Sequence, residues 1–489
     1  MPFSFRDPTG FLTEHDGRII RFITREGFAD LQAFLRSDAA RKLTGAGRIV
    51  RTDVLDETAT ARLQAGLSAS GIFREDGFAR RDVYPVAVEH ERVGFQSFPY
   101  EWPPEMLHAA ARLTLDIAEN ILDEGFGLKD ASPFNLLFRG PRAVFIDLLS
   151  FERRDPADPT WLPEAQFART FLLPLLVAKH FRTPAHQLFL ARREGLDPED
   201  VYRLCSTAQR FAPPFLTLVS IPTWLARKSA PDGAGIYAPK RLDNPAKARF
   251  ILEQLFKRLR RQLAAVAPDK REDSAWSDYM TPDKHFTRAY FDAKHAFVAA
   301  ALKTHAPRRL LDVGCNTGHF SRLAAEHGAG VVAVDADAAV VGEVWRQASQ
   351  KDADILPLVL NLTQPSPATG WRNAECASFI ERARGFFDAV LMLSVVHHML
   401  VGERVPLALI LELAADLTTD LLVVEYIPPA DPMFRRIARG RDSLFTYLTR
   451  EFFEQACRKH FEIMDSQQMG DSARRVYLLR KKRATNGDA

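Results

Sequence analysis

The chain has 489 residues and carries 65 Lys and Arg against 62 Asp and Glu, a formal net charge of +3. That length exceeds what one hydrophobic core usually organises, so two or three domains are expected. The near-neutral balance gives no argument for nucleic acid or an acidic partner, and the basic runs "KRLRR" (257–261) and "RKKR" (480–483) read as solvated helix faces or tails. The four cysteines, Cys205, Cys315, Cys376 and Cys457, are scattered and form no C-x-x-C pair. Neither a zinc site nor a disulfide framework is suggested, and free thiols fit a reducing cytoplasm. The opening "MPFSFRDPTGF" lacks a secretory pattern. The most apolar stretch, "FLLPLLVAKHF" (171–181), is far shorter than the roughly 20 residues of a membrane span.

In chain order, "GFLTEHDGRIIRFIT" predicts two strands turning at Asp16-Gly17, and "VYPVAVEHERVGFQSFP" (83–99) predicts another strand pair. The segment "PPEMLHAAARLTLDIAENILDEG" (103–125) places Met106, Ala110, Leu113, Ile117 and Ile121 at the spacing of one buried helix face, opened by proline and closed by Gly125. Then comes "LKDASPFNLLFRGPRAVFID" (128–147). Asp130 and Asn135 are five residues apart, and Asp147 ends the apolar run "AVFID". The ordinary reading of such loop residues is helix capping or turn closure.

The order of β-rich lobe, extended segment, long helix, polar loop and strand-end acid over about residues 5–235 resembles the protein-kinase-like fold, in the style of aminoglycoside phosphotransferases. The resemblance implies Asp130 as the catalytic residue that orients a hydroxyl, with Asn135 and Asp147 as magnesium ligands and Mg-ATP as cofactor, if the domain binds nucleotide. Three departures weaken phosphotransfer. Leu128 and Lys129 stand where a loop His is usual, no Gly-rich phosphate loop is visible, and "GRIIRFIT" offers Arg21 in place of a lysine.

A Gly/Pro-rich break, "PDGAGIYAPKRLDNP" (231–245), precedes an amphipathic helix with a basic face, "AKARFILEQLFKRLRRQLAAV" (246–266), read as a connector packed on both domains. "APDKREDS" reads as a hinge, and "WSDYMTPDKHFTRAYFDAKHAF" (276–297) brings Tyr279, Lys284 and Lys294 on a helical lead-in.

From about Phe297, short apolar runs alternate with helix-period segments, which argues for a parallel sheet covered by helices. The runs lie at 308–314, 330–337, 354–362, 387–393 and 420–427, and "EIMDSQQ" and "RRVYLLRK" add a terminal hairpin, making seven strands. The first strand ends in "LLDVGCNTGHF", where Gly314 and Gly318 bracket a tight turn and backbone N–H groups can face a ligand. Seventeen residues after Gly318, Asp335 closes the second strand, placed to accept ribose hydroxyl hydrogen bonds. This spacing fits either a dinucleotide or a nucleoside such as S-adenosylmethionine.

"LLDVGCNTGHFS", "VVAVDAD" and "FDAVLMLSVVHHML" together resemble the class I S-adenosylmethionine-dependent methyltransferases over about residues 297–480. The resemblance implies that Asp312, Gly314, Cys315, Asn316 and Gly318 line the cofactor, that Asp335 binds its ribose, and that Asn361 stands near the adenine amine where an acid is common. His397 and His398 follow strand four and are candidate bases for a hydroxyl acceptor, with Glu425 a second candidate for acceptor contact. The wording "NLTQPSPATGW", "VVHHML" and "IPPADPMF" is also similar to NoeA-like methyltransferases associated with nodulation-factor host specificity.

The expectation is an α/β protein: a bilobal α+β kinase-like domain (1–235), a helical linker and cofactor lid (236–296), and a seven-stranded Rossmann-like doubly wound domain (297–482). The expected activity is S-adenosylmethionine-dependent methyl transfer to oxygen on a small-molecule or glycan-like acceptor, the first domain serving recognition or regulation. The alternatives are a bifunctional kinase-methyltransferase and a non-catalytic binding scaffold.

Overall fold

Asp16 and Gly17, both at positive φ, turn the chain between β1 (Gly10–His15) and β2 (Arg18–Ile23), the backbone that a two-residue hairpin demands. The computed structural model describes residues 4–69, 71–74, 79–228, 241–269 and 287–483. Residues 231–240 and 270–286, with Tyr279, Lys284 and most of the expected break and hinge, lie outside that set. The described chain forms two units, one of Met1–Lys270 with Ala368–Cys376, the other of Arg271–Pro367 with Ala377–Ala489. Among the described residues no helix is long and apolar enough to cross a membrane.

In the first unit, β3 (Thr52–Val54) and β4 (Val86–His90) complete an antiparallel sheet in the order β1-β2-β4-β3. The expected strand pair over 83–99 is corrected to one strand. Beyond His90 the chain leaves the ladder and buries Val93 and Phe95 as loop residues, so apolar spacing there reflects burial without pairing. The helix Pro104–Asn120 buries Met106, Ala110, Leu113 and Ile117, as its spacing predicts. A single turn follows, and Gly125 takes φ 79°. Next come β5 (Phe126–Leu128), β6 (Leu136–Arg139), β7 (Arg142–Phe145) and β8 (Phe151–Arg153), paired as β5-β8 and β6-β7.

The amphipathic helix Pro245–Ala265 belongs to this first unit. It buries Leu252, Phe256, Leu259 and Leu263, and its Arg260 pairs with Glu119 and Asp116 of the Pro104–Asn120 helix. The basic face is therefore partly an ion-paired seam.

The second unit is a seven-stranded sheet made of β9 (Arg309–Val313), β10 (Gly330–Asp335), β11 (Ile355–Val359), β12 (Phe387–Met392), β13 (Thr418–Tyr426), β14 (Phe461–Gln468) and β15 (Arg475–Lys481). Their spatial order is β11-β10-β9-β12-β13-β15-β14, parallel except for β15, which runs antiparallel to both its neighbours. Parallel strands covered on both faces are buried on both sides, and β11 is buried at all five positions. The order reverses between β9 and β12, so the carboxyl ends of β9, β10 and β12 frame the crevice where such sheets bind ligands.

Candidate functional site

The crevice begins at the turn after β9. Gly314 and Gly318 adopt φ 72° and 76°, and a Cβ on Gly318 would lie 2.9 Å from Val344 Cγ2. A side chain at either position is strained by backbone conformation and, at Gly318, crowded by Val344 as well. Asn316 between them also has positive φ, 49°. Its backbone N–H donates to Asp335 Oδ2 (3.0 Å), while Asp337 N–H donates to Oδ1 (3.0 Å). Two amides thus hold the Asp335 carboxylate at the end of β10, with acceptor capacity left on both oxygens. Burial raises its pKa, and the same two amides pull it back.

Asp312 is buried inside β9 and accepts a 2.6 Å hydrogen bond from Ser321 Oγ. Burial pushes its carboxyl up to about 6. Cys315 is buried with a thiol raised well above its ordinary range by burial, so its role is packing and not nucleophilic attack. Asn361 is held in place by Thr363, whose N–H (3.0 Å) and hydroxyl (2.7 Å) both donate to Asn361 Oδ1. The Asn361 carbonyl is thus occupied locally, which leaves the amide N–H₂ as the side chain's donor for a ligand.

At the ends of β12 and β13 the structure assembles a buried polar network. Glu425 is fully enclosed; it accepts from Tyr290 Oη (2.5 Å), Lys294 Nζ (2.6 Å) and Ser394 Oγ (2.8 Å). Lys294 also donates to Ser394 Oγ (3.0 Å). Arg474, 2% exposed, binds both oxygens of Asp431 at 2.7 and 2.8 Å. Burial alone would push the Glu425 carboxyl up; the Lys294 and Arg474 charges reverse that and bring it down to about 2. A carboxylate so saturated has little capacity left to grip an acceptor, so its place is to anchor the helix Arg288–His305 against the sheet edge.

His397 and His398 sit side by side after β12, ring centroids 4.2 Å apart. They differ in surroundings. His397 is buried, and neither ring nitrogen has a hydrogen-bond partner among the described residues. Burial, with His398 and Arg474 adding to it, pulls its pKa well below the ordinary value. It borders a cavity of about 10 Å³, whose wall Leu400 it shares with a much larger cleft. His398 lines that cleft of about 980 Å³, and its pKa is lowered chiefly by burial.

In the first unit, the three polar residues singled out in sequence do converge. Asn135 Nδ2 donates to Asp130 Oδ1, and Ser150 Oγ bridges Asp130 Oδ2 (3.2 Å) and Asp147 Oδ2 (2.9 Å). Burial, then the Asp147 charge, pushes the Asp130 carboxyl up to about 6. Arg21 of β2 reaches Asp147 Oδ1 at 2.7 Å, with its side chain 8% exposed. Beside them His90 is buried with its pKa lowered to about 3, by burial first and the Arg21 charge second. Among the described residues no group of three or more His, Cys, Asp or Glu side chains is placed to hold a metal.

Sequence reasoning missed Ser321, Ser394, Ser150, Asp431 and Arg474. Ser150 meets Asp147 three residues upstream, while the others are lone polar residues whose partners lie on other elements, and no local pattern marks them. The one available signal was Arg21, the only basic residue in an apolar strand apart from its first position.

Residues 252–465 match a family model described as a methyltransferase domain. Along nearly its whole length the chain is similar to the nodulation protein NoeA of Rhizobium meliloti (strain 1021), at 28% identity over 483 residues, 98% of this chain and 95% of that protein. Among solved structures it is similar to the N-methyltransferase NodS of Bradyrhizobium japonicum WM9 (15% identity, 40% of this chain and 98% of that one, TM-score 0.30). It is also similar to the bifunctional kinase-methyltransferase WbdD (19% identity, 39% of each chain, TM-score 0.27). The second unit is accordingly an α/β methyltransferase domain, and the chain an S-adenosylmethionine-dependent methyltransferase.

Proposed function

We propose that the second unit transfers the methyl group of S-adenosylmethionine to an oxygen of a small-molecule or glycan-like acceptor, and that the first unit is a kinase-like domain serving recognition or regulation. The observation that carries the first part is the Asp335 carboxylate, fixed by the amides of Asn316 and Asp337 beside a turn whose backbone favours glycine at Gly314 and Gly318. Asp335 would bind the ribose hydroxyls, the glycine turn would face the methionine portion, and Asn361 would turn its amide toward the adenine ring.

The cofactor supplies a methyl group on a sulfonium, which leaves as a neutral thioether, so alignment and exclusion of water carry much of the acceleration. A hydroxyl acceptor must also lose its proton. His398 lines the cleft, and burial lowers its pKa, which favours the neutral form a base needs. His397, more deeply buried and harder to protonate, packs behind it.

For the first unit, the convergence of Asp130, Asn135 and Asp147 supports the kinase-like reading, and the Arg21–Asp147 ion pair argues that its present task is structural. Phosphotransfer with Mg-ATP would require Asp147 to release Arg21. The similarity to NoeA runs through both units, which supports treating them as one functional protein. The four buried free cysteines fit a reducing cytoplasm.

The test is mass spectrometry of metabolite extracts supplied with the protein and methyl-labelled S-adenosylmethionine. A labelled product that disappears with Asp335→Ala is expected; label bound through nitrogen would overturn the oxygen assignment, and no label in any product would overturn the activity.

A further inference from the structure

The cleft beside His398 is lined by Arg404, Arg436, Arg439 and Arg441, and by no Asp or Glu. The chain as a whole balances 65 basic against 62 acidic residues, so a wall of one sign is not a consequence of composition. Elsewhere in the second unit several arginines are paired: Arg309 with Asp388, Arg384 with Asp416, Arg450 with Glu454 and Arg474 with Asp431. None of the four cleft guanidinium groups has a carboxylate partner among the described residues. The acids nearest in sequence do not line the cleft, and Asp431 is engaged by Arg474. Four unneutralised cations facing one cavity repel each other, and that arrangement is relieved by an anion. Guanidinium forks suit phosphate-type oxyanions because two parallel N–H groups meet two oxygens.

The cleft also has the dimensions and chemistry of a ligand site. Its volume of about 980 Å³ far exceeds one oxyanion, and Val405, Met433, Ile437 and Phe445 give it apolar wall for the rest of a molecule. His398 places it at the end of β12, where the acceptor is expected. We infer that the methyl acceptor carries a multiply charged oxyanion, phosphate or sulfate in class, which Arg404, Arg436, Arg439 and Arg441 hold while its apolar or sugar portion lies along the cleft. This rests on the methyltransferase reading above and adds the acceptor's charge to it.

The experiment is calorimetric titration of the full chain at low ionic strength with inorganic pyrophosphate and, separately, with sulfate. The variants are Arg436→Gln/Arg439→Gln and Arg404→Gln/Arg441→Gln, exposed positions whose folding is checked by circular dichroism. At least one anion should bind the unmodified protein, weaken with added salt, and lose roughly tenfold or more in affinity in each double variant. Tighter pyrophosphate assigns the phosphate class, and equal or tighter sulfate the sulfate class. Binding of neither anion, or double variants that bind like the parent, would overturn the inference. A parallel titration with S-adenosylhomocysteine, expected to change less than about twofold in these variants, keeps the two readings apart. Anion binding without any S-adenosylhomocysteine binding would sink the methyltransferase reading and the acceptor assignment with it. Cofactor binding without anion binding would sink only the oxyanion.

Discussion

Two strand-end aspartates stand in the two units under opposite regimes. Asp147 in the first unit meets a buried guanidinium, Arg21, and a bridging serine. Asp335 in the second unit meets only backbone amides, from Asn316 and Asp337. An aspartate neutralised by a side-chain cation has its charge consumed within the fold. One held by amides keeps a net charge and spare lone pairs for a ligand. The difference teaches that a strand-end aspartate's position does not by itself decide whether it is available to a ligand. What decides is the partner across the gap, which lies far away in sequence.

The largest effect that would break this comparison is expected at Glu425. Glu425→Ala leaves Lys294 buried without its carboxylate, and removing one partner of a buried pair costs about 3–5 kcal/mol. Denaturant unfolding of the second unit should show that loss, and a shift below about 1 kcal/mol would mean the network is not structural. Next is Asp335→Ala, which in the proposed placement of the cofactor would remove two ribose hydrogen bonds to a charged group. It should weaken S-adenosylhomocysteine binding by about 3 kcal/mol, on the order of 100-fold, by calorimetry, with little change in circular dichroism.

Arg21→Gln sharpens the other side. It should destabilise the first unit by roughly 1–3 kcal/mol while leaving cofactor affinity intact, because Asp147 keeps Ser150 but loses its ion pair. Mg-ATP binding that emerges only in this variant would show that the ion pair closes a site still able to take a nucleotide.

The smallest effect is a pH slope. The carboxyl of Asp312 is raised to about 6 when folded, against an unfolded value near 3.8. Between those values the folded chain holds a proton that the unfolded chain releases, so this group's contribution to stability falls as pH rises from about 4 to 6. Asp130 acts in the same direction in the first unit. Asp312→Asn should flatten the pH 4–6 stability profile by about 2 kcal/mol, measured by melts at stepped pH. An unchanged slope would mean that Asp312 is already ionised in that range.

The sheet of the second unit was legible because parallel strands covered on both faces appear as unbroken apolar runs, and "RLLDV", "GVVAVD" and "ILPLV" carry that pattern directly. The glycine turn and Asp335 were legible for a related reason: backbone constraint and strand ends are local. The Lys294–Glu425–Ser394 network was not, since its members stand 31 to 131 residues apart. The stretch 83–99 misled because Val93 and Phe95 are buried by packing without ladder pairing. The arginine cleft was not legible, because Arg404 stands far in sequence from Arg436, Arg439 and Arg441, and they line one cleft with His398 only when the loops fold together.

The most direct test of the account is calorimetric titration of the full chain with S-adenosylhomocysteine in the absence of magnesium and ATP. The account predicts one binding event, weakened on the order of 100-fold in Asp335→Ala and unchanged in Asp147→Asn. No binding by the unmodified protein, or binding that Asp335→Ala leaves unchanged, would contradict it.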